Sequence, residues 1–436
     1  MADVQPFPGL RYNRELCRDL SALICPPYDV MSTEGQLHYH RRSPFNVVRL
    51  ELGLERPGED RYQGAATTLR EWLRDGVLVA EERPALYVVE HRFPQGGALH
   101  RRLGLTARVR LETPESGVVR PHEATTRSPG EDRLRLTRAC QANVSPIMGM
   151  FRDQDGGLRA LFPELEGRSP DLVAEDDGGV GYAVWVVTEE QAIARARRFF
   201  ADKAIYIADG HHRYLTALAY RDERRQGQPS PTGDEAYNFV MMGLSWAQDP
   251  ALLTLPTHRL VHGLDAHDLE RLDEGVAAHF QSEVLPLPGD LGTLNLGPGA
   301  LQSGDTTPIA IYGRHGRHLC LLTARERDAI RDIVPASERG PLEEVDVYLL
   351  HRVVLGQALG IEGAEREAQH LEYTRDAAWA ISRVDSGEYQ LAFLLNPIPV
   401  ASVLAVADSG HRMPRKSTHF YPKTPVGLVV NPLWAD

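Results

Sequence analysis

Lysine is almost missing from this sequence: of 48 Lys and Arg residues only three, Lys203, Lys416 and Lys423, are lysine. In so arginine-rich a chain a retained lysine marks a position that prefers a compact ammonium to a planar guanidinium fork, and the pair Lys416 and Lys423 is the stronger lead. Cysteine is scarce too. Cys17, Cys25, Cys140 and Cys320 are widely scattered and form no Cys-x-x-Cys pair, which argues against a zinc or thioredoxin-like centre and for reduced, mostly structural thiols. No apolar run approaches the roughly 20 residues of a membrane span, and no basic segment followed by an apolar stretch opens the chain. The expectation is a cytoplasmic protein without a membrane partner. Positive charge is also in deficit. A formal net charge of −12 disfavours nucleic acid as a chain-wide partner and leaves room only for a local basic pocket. Internal repeats, heptad runs and low-complexity tails are missing as well.

What remains is ordinary globular material in a long chain. Hydrophobic residues make up 42% and charged residues 25% of 436 residues, enough for two or three domains, since single cores seldom grow past about 250–300 residues. The expected class is α/β: a mixed sheet with flanking helices plus a smaller inserted α+β subdomain. The expected division is a main lobe 1–262, an insertion 263–340 and a C-terminal segment 341–436 that completes the pocket.

The chain is organised around Ala204-Ile205-Tyr206-Ile207-Ala208-Asp209-Gly210-His211-His212-Arg213-Tyr214. A β-branched and aromatic run passes into apolar residues at helical spacing, Leu215, Leu218 and Ala219, which predicts strand, tight turn, helix. Asp209 is placed to cap the helix and Gly210 to supply positive φ. The amides of a helix start, with the macrodipole behind them, favour a phosphate or carboxylate. His211, His212 and Arg213 add side-chain donors there. An ordinary strand-to-helix turn with solvated histidines fits the pattern equally well.

Cys25-Pro26-Pro27-Tyr28-Asp29-Val30 is too proline-rich for a central strand and predicts a rigid loop, in which Asp29 either faces a site or caps the helix starting near Ser32. Residues 45–52 read as a strand and 62–78 as an amphipathic helix. Residues 85–91 and 103–111, either side of Pro94-Gln95-Gly96-Gly97, read as a hairpin. His122-Glu123-Ala124-Thr125-Thr126-Arg127 lacks the second histidine of a zinc helix, and a helix follows from Ser128. Residues 237–244 form a near-continuous apolar run typical of a buried strand. Residues 264–280, 342–359 and 377–384 read as helices and 285–307 as a Gly- and Pro-rich connector. Ile309 to Tyr312 and His318 to Leu322 read as a hairpin. Met413-Pro414-Arg415-Lys416-Ser417-Thr418 predicts a rigid loop able to surround a phosphate, without the glycines of a P-loop.

Asp209-Gly210-His211-His212-Arg213-Tyr214 resembles the central motif of domain of unknown function 1015, an uncharacterised prokaryotic family. Pro26-Pro27-Tyr28-Asp29, His122-Glu123-Ala124-Thr125, Asp132-Arg133, Leu255-Pro256-Thr257-His258-Arg259 and Met413 to Thr418 resemble further motifs of that family. More locally, Gly210 to Arg213 is similar to the phosphate-binding turn of the ParB and sulfiredoxin superfamily, which includes free-serine kinases. Where sulfiredoxins carry a reactive cysteine this chain has His211, which disfavours sulfinic-acid repair. ParB's helix-turn-helix DNA binding has no convincing basic recognition helix here.

The resemblance implies a pocket walled by the turn, the 122–133 segment, His258-Arg259 and the 416–418 loop. The scarcity of lysine and the hydroxyl-rich, proline-stiffened loop predict that Lys416 faces the same ligand as Arg213, the alternative being a loop that covers a sheet edge with Lys416 in solvent. The catalytic residues that the resemblance implies are Asp209, His211, His212 and Glu123. Its implied phosphate- or substrate-binding residues are Gly210, Arg213, His122, Thr125, Arg133, His258, Arg259, Lys416, Ser417 and Thr418, with no dedicated protein metal site. The function that follows is nucleotide-dependent phosphoryl transfer to a small metabolite such as a hydroxy amino acid. A nucleoside tri- or diphosphate with Mg2+ is the implied cofactor. A nucleotide- or metabolite-binding regulator without turnover and a small-molecule phosphatase are the alternatives.

Overall fold

The computed structural model describes residues 1–125, 128–154, 157–228, 230, 232–287, 308–325 and 334–434. Thr126 and Arg127, and residues 288–307 of the expected connector, lie outside the described residues. The chain divides into two compact units. Unit one is Met1–Pro121, Thr125–Leu253 and Pro422–Asp436, and unit two is His122–Ala124 with Thr254–Tyr421. This division differs from the expected boundaries at 262 and 340: the presumed insertion shares one sheet with strands from both of its flanks.

Unit one is built on a sheet of nine strands among the described residues. These are β1 (Val4–Gln5), β2 (Leu86–Gln95), β3 (Ala98–Arg110), β4 (Val119–Arg120), β5 (Ile147–Phe151), β6 (Leu172–Glu175), β7 (Gly181–Val187), β8 (Ile205–Asp209) and β9 (Phe239–Trp246). Their order is β4-β8-β5-β9-β3-β2-β7-β6, with β1 on β3. β8 runs parallel to β4 and β9 parallel to β5, while β2–β3, β3–β9 and β5–β8 are antiparallel. The expected α/β class with a mixed sheet is therefore present. The β2–β3 hairpin turns at Gly96 and Gly97, both at positive φ, as the Pro-Gln-Gly-Gly spacer requires.

The helices of unit one include α1 (Thr33–Arg42), α2 (Val48–Glu51), α3 (Arg61–Arg74), α4 (Ser128–Cys140), α5 (Glu190–Phe200) and α6 (His211–Gln226). α4 packs against α3 and α6. The sheet's buried residues, among them Val88, Leu105, Ile147, Phe151, Ile205, Ile207 and Leu244, join Phe200 and Tyr214 in one core. Gly149 lies where a Cβ would stand 2.8 Å from Leu244 Cδ2, so the centre of the sheet admits no side chain there.

The expected strand at 45–52 is instead the turn into α2. The Asn46 side chain accepts the Val48 amide at 2.9 Å and donates to the carbonyls of Ala22 and Ile24 at 2.9 and 3.0 Å. This local bonding starts a helical turn against the β preference of Val47 and Val48. Ser32, not Asp29, caps α1, accepting the Gly35 amide at 3.1 Å.

Unit two carries an antiparallel sheet of six strands among the described residues, β10 (His258–Val261), β11 (Phe280–Pro286), β12 (Ile309–Tyr312), β13 (His318–Ala324), β14 (Leu371–Thr374) and β15 (Leu391–Leu394), in the order β11-β13-β12-β15-β10-β14. Leu260, Ala310, Leu319, Leu321, Ala392 and Leu394 on one face bury Ala380 and Ile381 of α7 (Ala377–Asp385). The helix expected over 342–359 opens as a 3-10 turn, is interrupted at extended Val345 (φ −101°, ψ 109°), and resumes at Asp346, continuing from Leu350 to Ala358 as a π-helix. Among the described residues no helix is long and apolar enough to cross a membrane, and Cys17, Cys25, Cys140 and Cys320 are free and buried.

Candidate functional site

β8 ends at the edge of the core with its pairing to β5 shifted between Ile207 and Asp209. Such a bulge turns the following side chain away from regular alternation, and that side chain is the Asp209 carboxylate. Gly210 follows in the left-handed region (φ 95°) and is the N-cap of α6, with no side chain capping the helix. The expected capping by Asp209 is thus not made, because its two oxygens are engaged elsewhere. Oδ2 takes the Arg213 guanidinium at 2.5 Å, one helical turn on, and Oδ1 takes Lys423 Nζ at 3.0 Å. Arg213 also donates to the Pro146 carbonyl. Its guanidinium folds back so closely that a Cβ on Gly210 would stand 2.9 Å from Arg213 Nε. Glycine is needed twice here, for φ and for the approach.

Lys423 carries the cluster onward, since its ammonium also lies 2.8 Å from Asp29 Oδ2. Asp29 sits in the 3-10 turn Tyr28–Val30, entered through extended Pro27, so the Pro-Pro stiffening places it against a lysine from the far end of the chain. Beside it the Arg133 guanidinium lies over the Tyr28 ring, 4.1 Å from its centroid. Arg133 donates to the Glu51 carbonyl at 2.8 Å and pairs with Asp132 at 2.6 Å. The Tyr28 amide meets Glu51 Oε1 at 3.3 Å. Asp132 in turn accepts Arg61 at 2.6 Å and the Tyr62 hydroxyl at 2.7 Å.

Burial alone would raise the Asp209 pKa, but Lys423 and Arg213 outweigh it and hold the carboxyl far below the usual range. The same pairing works in reverse on the cations. Burial pulls Lys423 and Arg213 down, and Asp209 with Asp29 more than restores them. Burial pushes the Tyr28 phenol up to about 12. At neutral pH the cluster is a row of fixed charges of both signs. Asp209 is therefore a poor proton acceptor but a strong anchor for cations.

The expected site residues divide between the units. Unit one holds Asp209, Gly210, His211 (buried), His212, Arg213, Arg133 and Thr125. Unit two holds His122, Glu123, His258, Arg259, Lys416, Ser417 and Thr418. There, His122 is fully buried, with Nε2 3.0 Å from Thr418 Oγ1. Glu123 bridges to Met413 along the backbone. Rather than forming an exposed cationic wall, His258 and Arg259 are completely buried in β10. His258 Nδ1 accepts the Leu395 amide at 3.2 Å, and burial then Arg259 hold the ring down to about 4, neutral at pH 7. Arg259 donates to the Thr257 and Lys416 carbonyls and meets His351 Nε2 at 3.3 Å. Lys416 is left-handed (φ 56°), with Nζ 4.5 Å from the Tyr373 ring centroid, and Ser417 Oγ donates to the Pro414 carbonyl at 2.6 Å.

Asp29, Glu51 and Lys423 were not among the expected site residues, although the proline-stiffened loop allowed Asp29 to face a site and the scarcity of lysine made Lys423 a lead; for Glu51 the sequence held no signal. Among the described residues no group of three or more His, Cys, Asp or Glu side chains is arranged to hold a metal ion.

A mixed α/β unit with a charged glycine turn between strand and helix is the class these features define. Residues 4–348 match the family described as protein of unknown function, DUF1015, and the chain belongs to that family. No curated protein matches it. Among solved structures it is similar to a conserved hypothetical protein from Pyrococcus furiosus, with 13% identity, 76% of this chain and 97% of that chain covered and a TM-score of 0.35. It is also similar to a free serine kinase in complex with AMP, with 11% identity, 74% and 91% covered and a TM-score of 0.35. A third is SbnI with C-terminal truncation from Staphylococcus aureus, with 12% identity, 75% and 87% covered and a TM-score of 0.36.

Proposed function

We propose that unit one binds a nucleotide by its phosphates at the β8–α6 turn and transfers the terminal phosphoryl group to the hydroxyl of a small metabolite, such as a hydroxy amino acid. The observation that carries this reading is the row Asp29, Lys423, Asp209, Arg213, in which one ammonium lies 2.8 and 3.0 Å from two carboxylates beside the start of a helix. Phosphoryl transfer depends on positioning and on charge stabilisation more than on covalent help from the protein. Lys423 and Arg213 supply two cations for phosphate oxygens at the positive end of α6, where Gly210 lets the Arg213 guanidinium fold back over the turn.

Asp209 has both oxygens on Arg213 and Lys423, which leaves Asp29 as the carboxylate that would hold Mg2+, an ion usually held by one or two carboxylates with phosphate oxygens and water completing its shell. When bound, Mg2+ would neutralise phosphate charge. In the transfer, the acceptor hydroxyl oxygen bonds to phosphorus, the bond from phosphorus to the departing diphosphate oxygen breaks, and the hydroxyl proton goes to an imidazole of the turn, His211 or His212. Asp209 remains ionised throughout and holds the cations in place.

The test is 31P NMR of the full chain with MgATP and a panel of hydroxy amino acids. A new phosphomonoester resonance growing in step with ADP supports the proposal. Saturable nucleotide binding with no transfer to any acceptor would move the reading to a regulator, and no nucleotide binding at all would sink both.

A further inference from the structure

A second polar cleft lies in unit one, between α1, α2 and α3, with a volume of about 330 Å³ and walls that include His40, Arg49, Arg56, Gly64, Thr67 and Thr68. That is the size of a small-molecule site. Its charges do not balance. Asp60 in its wall accepts the Tyr62 and Gln63 amides at the start of α3 and pairs with Arg135 at 3.3 Å, and Glu59 pairs with Arg56 at 3.6 Å. Arg61 is held by Asp132 and Glu55 at 2.6 and 3.1 Å. Arg49 has no carboxylate partner among the described residues. The one hydrogen bond of its side chain among those residues goes to the His40 carbonyl at 2.8 Å, and its Nε is buried without a partner. Burial, then the like charge of Arg56, lowers its pKa.

One further feature points the same way. Gly64 lies inside α3, where glycine weakens a helix by about 1 kcal/mol relative to alanine. A Cβ there would meet nothing within 4 Å, and its φ is not in the left-handed region. Packing therefore gives no reason for glycine; an open cleft floor does.

We propose that this cleft binds a small oxyanion, a carboxylate or a phosphate. The oxyanion supplies the counter-charge that the Arg49 guanidinium lacks.

The experiment is calorimetric titration of the full chain with inorganic phosphate and, separately, with malate, at fixed ionic strength in chloride. Saturable binding of at least one probe is expected, about ten- to hundred-fold weaker in Arg49→Gln, as loss of a charge-assisted hydrogen bond implies. It is expected to vanish in Gly64→Leu, which fills the cleft while improving α3, so its Tm should not fall below the parent's. No saturable binding of either probe, or unchanged binding in both variants, overturns the proposal. Phosphate binding that survives in both variants but disappears in Lys423→Met belongs to the β8–α6 turn and overturns it as well. The cleft stands independently of the kinase reading, because malate binding lost in Gly64→Leu supports it whether or not nucleotide binds.

Discussion

Replacing Lys423 by methionine keeps most of the side chain's volume and removes its charge from between Asp29 and Asp209. In the parent the ammonium side chain is 13% exposed and the Asp209 side chain 21%. Breaking a buried ion pair by removing one partner costs about 3–5 kcal/mol, because the other charge is left in a poorly solvated place. Asp29, 33% exposed, recovers water, and Arg213 still faces Asp209, so about 2–3 kcal/mol is the reasoned loss, discounted for that solvent access. In a unit of this size that lowers Tm by roughly 5–10 °C.

The pH dependence carries more information than the shift itself. Asp209 has a folded pKa below its unfolded value. Its contribution is therefore present above the ordinary carboxylate pKa and disappears only as the pH falls through the depressed folded value. Lys423 has a raised folded pKa, so its contribution is complete below its ordinary pKa and is lost as the pH rises through the folded value. Calorimetric melts from acid to alkaline pH should show the alkaline loss vanish in Lys423→Met and the acid loss move to higher pH. A variant with the parent's Tm and an unchanged profile would refute the view that Lys423 neutralises Asp209.

Gly210→Ala must adopt φ 95° and crowd the Arg213 guanidinium, so a loss of about 1–3 kcal/mol is expected in denaturant melts. Lys416 stands in the left-handed region with its ammonium over Tyr373, and Lys416→Gly should gain up to about 1 kcal/mol from the backbone, offset by the lost cation–π contact. In unit two His258 and Asp346 oppose one another. His258, held down to about 4, favours stability that is lost as pH falls from its ordinary value of 6.5 toward 4, whereas Asp346, pushed by burial up to about 6, contributes stability lost as pH rises from 3.8 through 6. Melts between pH 4 and 6 should therefore tilt in opposite directions in His258→Leu and Asp346→Asn, the former losing stability and the latter gaining it as pH rises.

Elements with strong periodicity were readable from residues alone. The β2–β3 hairpin, β8, α6 and the buried β9 follow from alternation, helical spacing and the Gly-Gly turn. Local side-chain bonding defeated the pattern at Asn46, where one amide organises a turn inside an apparent strand. The two-unit division was hidden because unit two draws its sheet from both sides of the presumed insertion. The Asp209–Gly210–Arg213 turn could be placed on its strand and helix. Its internal pairing could not, since the bulge that aims Asp209 is a property of sheet register and Lys423 arrives from more than two hundred residues away. Lysine scarcity did point to that residue. His258 and Arg259 looked like surface cations because a charged pair in a short β-run gives no sign that both faces of its sheet are covered.

The central claim, that Lys423 and Arg213 at the β8–α6 turn hold nucleotide phosphates, is tested most directly by isothermal titration of MgADP into the full chain and into Lys423→Met and Arg213→Gln, each confirmed folded by its melt. The account predicts one saturable site in the parent, with affinity lowered about ten-fold or more in each variant, as loss of a charge-assisted contact to phosphate requires. Parent-like affinity in both folded variants would contradict it.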